Sequence, residues 1–306
     1  MSYCKKSFVI EKPERVIYFL MRNLNISIQE ASKMVDKNRV VLNGKTTSTK
    51  KPVSGKIEVI VYEPKDLDLM PIFETDSFAV FEKPSGMLVH PNGFDSKNTL
   101  IDSAKVLFGK SAQIVHRLDR STSGLVIVAK NSKSDSELKD LFASGVVKKE
   151  YLLYAKGLVE KERLIDAPIL AGNYELNHRL GLPKVMGRVS SSGKPSRTMV
   201  YPIRYIKEHN CTLIRAVPAT GRTHQIRIHL AHIGHAILGD CLYGAGVDVA
   251  HSCLDRVLKG DERVKKCGAN RVMLHASALS FFYQSNYFIV SKTPFGSDEM
   301  LQASKG

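Results

Sequence analysis

The run Gly124-Leu-Val-Ile-Val-Ala129 has no polar side chain, and it constrains the fold more than any other stretch. An apolar run this short and this rich in β-branched residues reads as a strand covered on both faces. It is entered from His116-Arg-Leu-Asp119-Arg-Ser-Thr-Ser123, a loop holding one carboxylate, two guanidiniums and three hydroxyls. Residues 72–73 and 78–81 bracket a turn at 74–77, and 151–155, 198–206, 212–217, 279–282 and 287–290 read as further strands. Residues 134–142 have helical character, as do 222–233, where Ile226, Leu230 and Ile233 share a face. Strands with scattered helices and no regular βαβ alternation define an α+β class with a mainly antiparallel, mixed sheet.

The first sixty residues have another texture. Val16, Ile17, Phe19 and Leu20 form one helical stripe. Ile28, Ala31, Met34 and Val35 form a second, with Ser27 placed to cap it. Asn43-Gly44 between β-type runs signals a hairpin, and 57–62 reads as a strand. Residues 1–64 carry 12 Lys and Arg against 6 Asp and Glu. So small and basic a block suits binding to a polyanion better than catalysis, and Arg39 and Lys45 are its candidate phosphate contacts. Residues 65–71 read as a linker, leaving 72–306 as a second unit.

The whole chain has a net charge of +15, which favours nucleic acid as partner. A membrane partner is not expected: no apolar run approaches a span, and no basic amphipathic helix stands out. The five cysteines are odd in number, widely spaced and free of CxxC pairs. That pattern points to reduced thiols and a cytoplasmic location.

Asp119 precedes a buried strand, so its loop can be held still, and neighbouring arginines favour its ionised form. A capped surface loop accounts for the same residues equally well. A Ser-His-Asp relay does not: there is no GxSxG, and His116 and Ser121 share one short loop. His224, His229, His232 and His235 lack the carboxylates or cysteines of a zinc set, so no metal is expected. No phosphate-binding glycine motif points to a nucleotide cofactor.

The loop belongs to a longer word, VHRLDRSTSGLVIVAK, and five others follow the same order as in a known family. They are EKPSGMLVHP (82–91), KKEYLLYAKG (148–157), GKPSRTMVYPI (193–203), ATGRTHQIRIHLAHIGHAILGDCLYG (219–244) and RVMLHASALSF (271–281). Together they resemble the RluA-type pseudouridine synthases, over roughly 72–290. The His-Pro usual after the last word is replaced by Phe282-Tyr-Gln-Ser-Asn-Tyr287. The words ISIQEASKMVDKNRVVLNGK and IEVIV resemble the S-four-type RNA-binding domain.

The resemblance implies a synthase fold with an active-site cleft across the sheet, plus a small N-terminal α/β RNA-binding domain. It implies isomerisation of uridine in RNA without cofactor or metal. Ribosomal RNA of the large subunit is the expected substrate, with tRNA as the alternative, and a monomer is expected. Asp119 matches the essential aspartate, which either attacks C1′ of the ribose or takes a proton from C2′. Tyr151 matches the tyrosine that stacks on the uracil and is expected to help remove the C5 proton, Arg227 the arginine that pairs with the aspartate, and Ile226 the apolar residue lining the pocket. Arg117 matches a residue that fills the stack once the base has left. His116, Arg222 and Lys83 join the expected RNA-contacting set. The rival reading is a catalytically idle RNA-binding or ribosome-assembly factor.

Overall fold

The computed structural model describes residues 3–47, 51–91, 98–255, 257–258 and 260–296. The outer ends of both expected units lie outside these residues.

The N-terminal part consists of β1 (Tyr3–Arg15), α1 (Val16–Leu24), α2 (Ile28–Asp36), β2 (Val40–Leu42), β3 (Lys45–Thr46) and β4 (Pro52–Tyr62). Its four strands form an antiparallel sheet in the order β1-β4-β2-β3. α2 starts where Ser27 and Glu30 form a reciprocal capping box, each satisfying a backbone N–H of the other. Asn43 and Gly44 both take positive φ, as a two-residue hairpin requires. Phe19, Leu20, Ala31, Val35, Val40, Ile57 and Val59 make a core of their own. β1 escapes a pattern reading because its side chains are mostly exposed, with Ile10 alone fully buried.

The larger part runs β5 (Pro71–Glu74), β6 (Phe78–Lys83), α3 (Leu100–Phe108), β7 (Gln113–Ile114), β8 (Ser123–Ala129), α4 (Ser132–Ser144) and β9 (Lys148–Lys156). It continues through β10 (Arg163–Asp166), β11 (Ile169–Leu170), α5 (Tyr174–Arg179), β12 (Arg188–Val189), β13 (Arg197–Ile206) and β14 (Cys211–Pro218). Then come α6 (Gln225–His232), α7 (Val247–Leu254), α8 (Gly260–Cys267), β15 (Leu274–Tyr283) and β16 (Ser285–Val290). Ten of these strands form one sheet with the path β10-β13-β14-β9-β15-β8-β6-β5. Its named pairings are antiparallel except that between β15 and β8. This is the mixed, mainly antiparallel α+β architecture that the strand pattern implies.

β8 is covered on both faces. Leu125 and Ile127 pack with Leu138 of α4, while Val126 and Val128 pack with Leu100 and Ile101 of α3. Each such side chain stabilises the fold by about 1.5–3 kcal/mol, which is why the run carries no polar residue. Gly124 opens β8 at φ +111°, and a Cβ there would lie 2.2 Å from the Ala276 carbonyl oxygen. Only glycine lets β8 approach β15 so closely. Ala276 also pairs with Tyr151 across β15 and β9, so one row links the end of the Asp119 loop to Tyr151.

Two expectations are corrected. The helix expected over 222–233 is α6, which begins only at Gln225, because His224 takes a left-handed conformation (φ 58°). Cys241 and Cys253 form a disulfide, whereas five reduced thiols were expected. α7 folds back to bring the two together, a return that spacing in sequence does not reveal; Cys4, Cys211 and Cys267 are free. The Phe282–Tyr287 departure falls on the β15–β16 hairpin, with Gln284 at φ 61°.

Candidate active site

The Asp119 loop is fastened to the turn after β6. Lys83, almost wholly buried, donates to the carbonyls of Pro84, Met87 and Arg120. Ser85 Oγ donates to the Ser121 carbonyl, and the Gly86 N–H to that of Arg120. The Arg120 guanidinium turns back and donates through Nε to the Gly86 carbonyl. Burial, reinforced by Arg120 and Arg271 and opposed by Asp119, brings the Lys83 amine down to about 7. Lys83 was expected to touch RNA; its place is inside the fold, beneath the loop.

Within this frame the Asp119 side chain stays 25% exposed. Its charged neighbour is not Arg120 but Arg227 of α6, whose Nη1 lies 3.5 Å from Asp119 Oδ2. His224 Nε2 lies 3.8 Å from the same oxygen. Arg227 is buried, and its paired hydrogen bonds go elsewhere: Nε and Nη2 donate to Asp240 at 2.7 and 2.9 Å. Asp240 is completely buried and also accepts the N–H groups of Leu242 and Tyr243. Burial opposes both charges of this pair, but mutual attraction and hydrogen bonding outweigh it, lowering the Asp240 pKa and raising that of Arg227. The guanidinium also faces the Tyr243 ring at 5.1 Å. The bidentate partner of Arg227 is therefore Asp240, and Asp119 takes the remaining nitrogen.

Asp240 is delivered by Gly239 at φ +74°, where a Cβ would lie 1.7 Å from the Arg271 carbonyl oxygen. The turn into α6 is held by Gln225, which donates to the Arg197 carbonyl and Thr198 and accepts from Thr220 and the Arg222 N–H. Asp240, Tyr243 and Gln225 all lie in the 219–244 word, yet no charge pattern or periodicity singles them out.

A cavity of about 100 Å³ opens over Asp119. Its walls include Tyr151 and Ile226, and Arg117, Lys149 and Arg222 contribute cationic groups. Burial, then the Asp119 charge, push the Tyr151 hydroxyl pKa up, so it stays protonated at neutral pH. The structure thus brings together Asp119, Tyr151, Arg227, Arg117, Ile226 and Arg222.

The other expected residues lie outside this cavity. His116 Nε2 accepts the Ile127 N–H, and its ring stacks on Phe142 at 4.4 Å. Burial, aided by Lys149, drives its pKa down to about 3. Its ring is committed to the fold. Arg39 donates to the Tyr3 hydroxyl and covers its ring, and Lys45 is exposed on the β2–β3 hairpin. His229 bonds Thr198 and the Ala167 carbonyl, and His235 bonds the Lys156 carbonyl. These histidine nitrogens serve the scaffold.

A carboxylate and a buried arginine beneath an aromatic wall, with cations at the mouth, suit an enzyme that acts on one base of a polyanion. Comparison with known proteins makes the class definite. Residues 77–232 match the family model of RNA pseudouridylate synthases. An RNA pseudouridine synthase of Helicobacter pylori J99 is 36% identical over 295 residues, covering 96% of this chain and 97% of the relative. A ribosomal large subunit pseudouridine synthase C of Haemophilus ducreyi is 31% identical, covering 88% and 79%. Among solved structures, human RNA pseudouridylate synthase domain containing 1 is similar with a TM-score of 0.58 and 25% identity, covering 77% of this chain and 88% of that one. The chain belongs to the RNA pseudouridine synthase family and is an isomerase of uridine in RNA. The idle-factor reading is not favoured.

Proposed function

We propose that Asp119 starts the isomerisation and that the substrate is large-subunit ribosomal RNA. The observation that carries the first part is a half-shielded carboxylate that reaches the cavity while paired to a buried arginine. Over the whole reaction the N1–C1′ bond breaks, the uracil turns, C5 bonds to C1′, C5 loses its proton and N1 gains one. An ionised Asp119 can begin by attacking C1′ or by removing the C2′ proton. Arg227 holds that carboxylate in place, and Asp240 holds Arg227. Tyr151 offers a ring for the flipped base, and its raised pKa favours stacking over service as a phenolate base. Flipping costs a few kcal/mol, which stacking of about 1–3 kcal/mol and phosphate contacts offset. Arg117, Lys149 and Arg222 supply such contacts, with Arg117 free to enter the gap in the stack.

The ribosomal assignment is supported by the relatives named for the large subunit and by the basic N-terminal part. We read residues 1–64 as an S-four-type RNA-binding domain, 65–71 as a linker and 72–306 as the catalytic domain. We read the protein as a cytoplasmic monomer; with Cys241 and Cys253 paired, the location is supported by the relatives named for the ribosomal large subunit and not by the thiols. Mapping pseudouridine across ribosomal RNA and tRNA, in cells with and without the protein, tests the substrate. A large-subunit position that reverts to uridine is expected. Reversion confined to tRNA would transfer the activity to that substrate.

A further inference from the structure

His224 stands at the N-cap of α6 and faces the cavity residues. Its backbone is left-handed (φ 58°, ψ 17°), a conformation that a non-glycine residue adopts at a cost. Its ring is partly buried and lines the cavity over Asp119. Nδ1 lies 2.8 Å from the Tyr243 hydroxyl, and that hydroxyl oxygen already accepts the Gly187 N–H at 3.1 Å. The Tyr243 hydroxyl can either donate to Nδ1 or accept from it; with its oxygen already accepting the Gly187 N–H, donation to Nδ1 is the role that uses its one proton. A proton donated to Nδ1 leaves the imidazole hydrogen on Nε2. Burial, then Arg227, lower the His224 pKa against the pull of Asp119 and Asp240, so the ring is neutral at pH 7.

Nε2–H thus faces Asp119 Oδ2 across 3.8 Å, too far for a hydrogen bond. A ligand oxygen about 2 Å to the side of that line can sit about 2.8 Å from both atoms. The two sides make opposite demands: the imidazole donates, and the ionised carboxylate accepts. A carbonyl oxygen would meet the imidazole but be repelled by the carboxylate. A hydroxyl satisfies both, accepting from one and donating to the other. An internal nucleotide of RNA has a single hydroxyl, at the ribose 2′ position, since its 3′ and 5′ oxygens are esterified.

We infer that His224, fixed as its Nε2–H tautomer by Tyr243, shares the 2′-hydroxyl of the bound uridine with Asp119, and so reads RNA against DNA at the reacting nucleotide. This rests on Asp119 being the catalytic carboxylate. The chain Gly187 to Tyr243 to His224 is the device that makes the ring a donor at that point.

The test uses full-length protein and an RNA oligonucleotide spanning a uridine that the wild type converts, tritiated at C5 so that turnover releases the label. Glutamine reaches roughly to the Nε2 position with an N–H, whereas asparagine reaches only to Nδ1 but tolerates the left-handed backbone better. With His224→Gln, kcat stays within about fivefold of wild type; with His224→Asn it falls about 100-fold, as on loss of one transition-state donor. Fluorescence anisotropy compares affinity for the same oligonucleotide with ribose or 2′-deoxyribose at the target. Removing the hydroxyl weakens wild type and His224→Gln about tenfold but His224→Asn only about threefold, the part that the hydroxyl still owes to Asp119. A merely structural histidine gives the opposite order, asparagine at least as active as glutamine, with equal loss for the deoxy target in all three. Asp119→Asn in the same assay separates the two readings. If it is inactive while His224→Asn turns over like wild type, the histidine inference fails alone; if it turns over freely, both fail.

Discussion

Arg227 holds two carboxylates of different exposure: Asp240, fully buried, and Asp119, open to the cavity. The guanidinium is fixed through two nitrogens on Asp240, leaving the third to face Asp119. Asp240→Ala should therefore unfold the site rather than merely slow it. It leaves a buried arginine without its pair, at a cost of about 3–5 kcal/mol in chemical denaturation. Stability unchanged within 1 kcal/mol, on the scale of an exposed ion pair, would contradict the buried-pair account. Asp119, Tyr151 and Arg227 were legible in the sequence because each stands inside a specific word. Asp240 was not: a second acid beside the arginine exists only after Gly239 turns the chain and Gln225 sets the start of α6. The arginines adjacent to Asp119 misled in the opposite way, since Arg120 is spent on a backbone carbonyl.

At the scale of elements, the Asp119 loop owes its position to β8 on one side and to the turn after β6 on the other. Lys83 donates to three carbonyls there. Lys83→Met removes the donor to the Pro84 and Met87 carbonyls, at about 1–3 kcal/mol for each group left unsatisfied, while the Arg120 carbonyl keeps the Gly86 N–H. It should lower kcat at least tenfold while RNA affinity holds; an unchanged kcat argues against the clamp. The contact between α4 and the start of the loop is pH-dependent. His116 stacks on Phe142 and must be neutral to accept the Ile127 N–H. Its folded pKa is about 3 against an ordinary 6.5. Between those values the unfolded chain binds a proton that the native ring does not, so stability falls as pH falls through that window. Melting curves from pH 7 to pH 4 should show a steeper loss for wild type than for His116→Gln, which can accept the same bond without titrating. Parallel losses would deny the buried imidazole its role. An unbroken apolar run made β8 legible, and helical stripes made α1 and α2 so. Such stripes overran the start of α6, because periodicity does not mark the left-handed His224 that precedes the helix.

Across the whole molecule, positive charge is not confined to the residues around the cavity. The basic N-terminal part carries Lys45 on an exposed hairpin, far along the chain from the cavity residues. If it contacts a phosphate, Lys45→Ala should reduce the slope of log affinity against log salt by about 1, with kcat unchanged. An identical slope would remove that hairpin from the RNA interface. The α+β class was readable from the strand pattern, while the parallel pairing of β15 with β8 was not, since it depends on Gly124 allowing the approach. That pairing puts Asp119 and Tyr151 on the same cleft, and the account stands or falls on the acid. The most direct measurement is pseudouridine mapping in cells that lack the protein and are supplied with either wild type or Asp119→Asn. The wild type should restore every lost pseudouridine, and the variant none, although it binds the same RNA with nearly the same affinity. Restoration by Asp119→Asn would show that another residue starts the reaction.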